Sequence, residues 1–160
     1  MLPDDICRNM GETKVRAIFG ELTADGMRKV LKTADIPSRS QSISTRKRNE
    51  EWGLRVWRAI GERRPRGDAG AAVLIYEWLT RHRRQMLASF LDDLGVPHDG
   101  GLTDAEIMSA APPEKTREAG KALLGRFDRS EVAAYLLFLD AQSKTEVFKE
   151  LDLVPMLGPA

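Results

Sequence analysis

Along residues 52–60 the apolar side chains Trp52, Val56, Ala59 and Ile60 recur at spacings of three and four, the period that gathers side chains on one side of an α-helix. This pattern predicts a helix from about Thr45 to Glu62, stopped by Pro65 and Gly67. Asp68 is placed to cap a second helix that runs to Gly95, a residue suited to a left-handed ending. The apolar stripe of that segment drifts. Leu74, Ile75 and Trp78 face one way, and Leu87, Leu91 and Leu94 face well round from them. The helix therefore either meets two different neighbours or bends near "TRHRR", residues 80–84.

Further on, Thr103 and Glu106 have capping-box spacing ahead of a short helix, in which hydroxyl and carboxylate would satisfy orphan amides reciprocally. "APP" ends it, and Pro113 suits the first turn of the next helix, "PEKTREAGKALLGRF". Asp128 or Ser130 caps "EVAAYLLFLDAQ", whose apolar residues lie almost all round and predict deep burial. Ser143 with Glu146 has the spacing of a second capping box, before "KTEVFKELDL". Strand signals are nearly absent. The expectation is an all-α, single-domain helical bundle of about six to eight helices over residues 1–160.

A weak echo runs through these helices. "VLKTADIP", "FLDDLGVP" and "FKELDLVP" each end in an aliphatic residue and a proline, and Val30, Phe90 and Phe148 stand seven positions before Pro37, Pro97 and Pro155. Three loosely repeated helical units ending near those prolines would explain it. So would the general tendency of helices to end before proline.

Composition narrows the class. A chain of 160 residues can bury about 70% of its unfolded surface without a metal or disulfide staple. Its 42% apolar and 31% charged residues fit a folded, charge-rich domain. The single cysteine, Cys7, excludes an internal disulfide. No apolar run approaches the roughly 20 residues of a membrane helix, and the acidic start "MLPDDICRNM" lacks the basic and apolar regions of a secretory signal. Those features point to a cytoplasmic protein with no membrane contact.

The formal net charge of +1 conceals a division. Residues 1–45 carry seven basic and six acidic side chains, residues 46–84 eleven and five, and residues 85–160 seven and thirteen, so the blocks are +1, +6 and −6. Such asymmetry marks either a polyanion-binding half or two halves that neutralise each other.

The stretch "TRKRNEEWGLRVWRAIGERRPRG" concentrates this question. In its middle, Glu51 with Arg55 and Arg58 with Glu62 stand four apart, opposite Trp52, Val56 and Ile60, which reads as a salt-bridged outer face over a core. Its ends differ. Arg46, Lys47 and Arg48 fall in the first turn, where the helix dipole disfavours cations, and so ask for an anionic partner or fray. Arg63, Arg64 and Arg66 fall at the other end, where the dipole favours them. Together the six are the candidate nucleic-acid contacts. A helix-turn-helix reading of "MRKVLKTADIPSRSQSISTRKRN" adds little, because Pro37 lengthens its turn.

Sites for chemistry are scarce. There are two histidines. His82 stands among Ile75, Trp78 and Leu79 and reads as a half-buried side chain bonding a neighbour, whereas His98, beside Asp99 in "GVPHDGGLTD", lies in the loop with the best claim to a role outside the core. No metal-ligand spacing, P-loop, dinucleotide fingerprint or hydrolase elbow is present. Cys7 has Asp4 and Asp5 nearby, which would raise its pKa and blunt its reactivity. No metal and no cofactor are expected. The sequence reads as a non-enzymatic interaction or regulatory protein that docks a protein partner or itself. The alternative is a nucleic-acid-binding accessory protein using the basic segment 46–66.

Overall fold

The computed structural model describes residues 1–38 and 45–158. The described residues hold ten α-helices and no strand. Eight of the helices have seven or more residues, the upper end of the expected range, and the other two are single turns. The packing divides into two compact units, Leu2–Trp78 and Leu79 onward.

The first unit contains α1 (Pro3–Met10), α2 (Glu12–Glu21), α3 (Ala24–Thr33), α4 (Thr45–Gly61) and most of α5 (Gly67–His82). Gly11 alone separates α1 from α2, at φ 84°, a left-handed conformation that glycine adopts without strain. Thr23 caps α3 by accepting the Gly26 N–H. α4 packs along α2, with Gly53 seated on the Phe19 ring. Val15, Ile18, Phe19, Val30, Leu31, Val56, Ile60, Leu74 and Ile75 are all buried, so the periodic positions of the sequence do form a core. Asp68 does not cap α5. That helix begins one residue earlier, and the Asp68 carboxylate instead accepts the N–H of Asp4 at the start of α1.

The second unit contains α6 (Arg84–Leu94), α7 (Ala105–Ser109), α8 (Pro113–Leu124), α9 (Arg129–Ser143), a 3-10 turn at Lys149–Leu151 and α10 (Val154–Leu157). The predicted long helix is broken at Arg83, which resolves the drift of its stripe. Arg83 stands outside helical geometry at φ −130°, and its guanidinium bonds the His82 carbonyl and the Glu131 carboxylate. α9 buries five successive residues, Val132 to Leu136. Asp128 caps it as expected by accepting the Glu131 N–H. Phe90 meets Tyr135 edge-on at 5.4 Å, and Phe148 lies 6.2 Å from Phe90.

Both predicted capping boxes are built differently. Asp104, not Thr103, occupies the cap position of α7, and the Thr103 hydroxyl donates to the Pro97 carbonyl. Ser143 ends α9 and donates back to the Leu139 carbonyl. The turn after it is organised by Asp140, whose carboxylate accepts from the Thr145 hydroxyl and from the N–H groups of Val147 and Phe148.

The apolar-proline exits have a common mechanism in two of the three cases. Asp35 and Gly95 are left-handed, and the next N–H reaches five residues back, Ile36 to Leu31 and Val96 to Leu91. This double-bonded ending satisfies orphan carbonyls before the proline. The third exit is offset, with left-handed Asp152 three residues before Pro155 rather than two. α4 closes in the same way as the first two, through left-handed Arg63, an Arg64 to Ala59 bond and Pro65. α4 lies outside the echo, so this exit is a general helix stop and does not by itself mark a repeat.

Candidate functional site

The helix α4 carries the basic segment. Its first turn holds no acidic residue, but the cations there find partners one turn on. Arg46 reaches Glu50, and the Arg48 guanidinium lies 5.2 Å over the Trp52 ring. In the middle, Arg55 pairs with Glu51 as expected. The expected Arg58 to Glu62 pair gives way to Arg64, which bonds Glu62 through two nitrogens. Arg63 lies 3.7 Å from Asp5, and Arg66 is exposed. The two clusters sit at opposite ends of a 17-residue helix, about 25 Å apart at 1.5 Å per residue. The structure does not bring the six residues into one patch.

It does bring Arg46 to the rim of an open groove of about 600 Å³ between α2 and α4. Ala17, Gly20 and Gly53 contribute small surfaces, Arg16 and Arg46 line it with cations, and Thr45, Asn49 and Glu50 complete the lining. A β-carbon at Gly20 would meet no described atom within 4 Å, and one at Gly53 would rest on Phe19 at 3.5 Å. Sequence reasoning passed over this groove. Its available signal was a pair of glycines inside helical runs, which cost about 1 kcal/mol each relative to alanine.

His98 and Asp99 are not a pair. His98 Nε2 lies 2.8 Å from the carboxylate of Asp92 on α6, and His98 Nδ1 accepts the Gly101 N–H at 3.1 Å. Asp99 instead exchanges backbone bonds with Leu102, the one isolated bridge among the described residues. Both imidazole nitrogens of His98 are engaged, which leaves no free lone pair to act as a general base. His82 is half-buried, and its Nε2 is enclosed without a hydrogen bond rather than bonding a neighbour.

Cys7 is fully buried, and its thiol is pushed up to about 12 by that burial, with Asp4 and Asp68 adding to the effect. A thiol so placed is a poor nucleophile. Nearby, the Arg8 guanidinium bonds both Asp4 and Asp5. The Asp5 carboxyl is held below its ordinary range, chiefly by the Leu2 N–H that it accepts and also by Arg8 and Arg63.

Among the described residues no group of three or more His, Cys, Asp or Glu is disposed to hold a metal ion, and no helix is long and apolar enough to cross a membrane. Comparison of the chain with the profiles of known protein families, with curated proteins and with solved structures finds no match.

Proposed function

We propose that this chain is a non-enzymatic interaction module that receives an acidic segment of a protein partner in the groove between α2 and α4. The observation that supports this reading is the groove itself, lined by helix-interior glycines and by two arginines that pair within their own helices, Arg16 with Glu12 and Arg46 with Glu50. Gly20 carries a helix-propensity penalty that no described neighbour requires. Small residues let another backbone approach closely, the geometry in which a helix or extended peptide docks. The charge of the occupant follows from the start of α4. Arg46 is 90% exposed, Lys47 and Arg48 follow it, and the positive end of the helix dipole adds to their field.

The probes that test this are two isotope-labelled samples, wild type and Gly20→Leu, titrated with a synthetic peptide of alternating Glu and Ala blocks, its Lys counterpart and a 12-nucleotide single strand. Amide shifts at Ala17, Gly20 and Gly53 with the acidic peptide only, weakened by salt and lost in Gly20→Leu, support the reading. Equal responses to both peptides, or none at millimolar peptide, overturn it. A stronger response to the oligonucleotide centred on Arg46, Lys47 and Arg48 favours the nucleic-acid alternative instead.

A further inference from the structure

We propose that His98 is a proton-sensitive latch that fastens the segment 99–111 onto α6 and lets it go when the imidazole gains its second proton. Donors and acceptors around the ring fix its tautomer. A backbone N–H only donates, so His98 Nδ1, 3.1 Å from the Gly101 nitrogen, carries a lone pair. The ring is then neutral with its hydrogen on Nε2, donated to Asp92 at 2.8 Å. A second proton has one place to go, Nδ1, where it turns an acceptor into a donor facing a donor.

The hydrogen bond broken by that proton is the one that ties the Gly101 amide to the ring, beside the Asp99–Leu102 backbone pair and the Thr103 hydroxyl on the Pro97 carbonyl. Gly101 is buried at φ 91°, and a β-carbon there would stand 2.8 Å from both the Arg84 carbonyl oxygen and the Leu87 side chain. The loop backbone therefore lies directly on α6. Downstream, α7 buries none of its residues, and Ile107 is exposed. With no buried side chain, α7 is carried between the loop before it and α8 after it. Opening the latch therefore loosens the whole segment and uncovers Leu87.

The charges around the ring do not cancel this effect. Asp92 faces Nε2, with its side chain 72% exposed and its field screened by water. The other charged groups near this turn are the Arg84 guanidinium by Gly100, the Lys115 ammonium by Gly95, and Asp99, next in sequence. Loss of the Gly101 acceptor is short-range and unscreened.

The full chain, followed by NMR from pH 8 to pH 5, tests the latch. Imidazole nitrogen shifts at pH 8 are expected to report hydrogen on Nε2. The protection of the Gly101 amide, relative to an unstructured peptide, is expected to fall at least tenfold in step with the titration of His98. His98→Gln offers an acceptor and a donor but no titration, so the pH dependence should vanish in it. Hydrogen on Nδ1 at pH 8, or undiminished Gly101 protection while His98 titrates, overturns the proposal. So does a His98 that stays neutral throughout this range.

Discussion

The carboxylate of Asp68 accepts the backbone N–H of Asp4 at 3.2 Å, joining the start of α5 to the start of α1 across 64 positions of sequence. One acidic residue thus serves a helix other than its own. Removing the acceptor in Asp68→Ala should cost about 0.5–2 kcal/mol, the range for loss of a helix cap, read from urea unfolding. Asp68→Asn keeps an oxygen at that point and should cost less. Amide exchange should localise the defect to the first turn of α1.

Cys7 offers an independent reading of the same helix. Its thiol is fully buried and pushed up to about 12, so at pH 8 a disulfide reagent should react with it only as α1 opens. The labelling rate is expected to rise in Asp68→Ala about tenfold for each 1.4 kcal/mol of opening free energy lost. Labelling at the rate of a free thiol in the wild type would contradict the burial of this helix.

Left-handed residues close several helices, and not all of them are glycine. Lys144 ends α9 at φ 54° and Arg63 ends α4 at φ 51°, both exposed. A side chain in that conformation costs about 1–2 kcal/mol, and glycine returns part of the gain as unfolded-state entropy. Lys144→Gly and Arg63→Gly should each raise stability by about 0.5–1 kcal/mol in denaturant titrations.

Gly70 stands where α5 crosses the end of α3. A β-carbon there would fall 2.7 Å from that of Ala34. Gly70→Ala should therefore destabilise by about 1–3 kcal/mol through overpacking, despite the better helix propensity of alanine. Adding Ala34→Gly should recover part of the loss, and a double-mutant cycle in urea gives the coupling directly.

The clamp formed by Asp140 seats Phe148, which is 3% exposed and lies 3.0 Å from where a β-carbon on Gly120 would stand. Asp140→Ala strands two amides and loosens that ring, at an expected cost of about 2–3 kcal/mol. The loss should appear in thermal melts, together with a change in the near-ultraviolet signal of the Phe90, Tyr135 and Phe148 cluster.

Periodicity along the chain was sufficient to locate α4 and the apolar run of α9, because those features depend on residues a turn or two apart. The drifting stripe before Gly95 fitted either two neighbours or a bend, and the structure shows the break at Arg83. Caps were less legible. Asp68, Asp140 and Thr103 are all cap-forming residue types, but the groups they bond lie 64, five to eight, and six positions away, beyond the three-residue spacing of a capping box. The partner of His98 was missed for a similar reason. Asp92 precedes it by six residues and becomes its neighbour only because left-handed Gly95 turns the chain back along α6. The α2–α4 groove depends on two helices joined through α3 and on side chains that are absent, and a search for residue types overlooks such a space.

The bond between Asp4 and Asp68 also orders events during synthesis. At about 5–20 residues per second, the ribosome releases Asp68 some 3–13 s after Asp4, from their separation of 64 positions. During that interval α1 has no acceptor for its Asp4 amide and no finished surface on which to bury Ile6 and Met10, so a nascent chain halted before residue 68 should leave that helix open to proteases and chaperones.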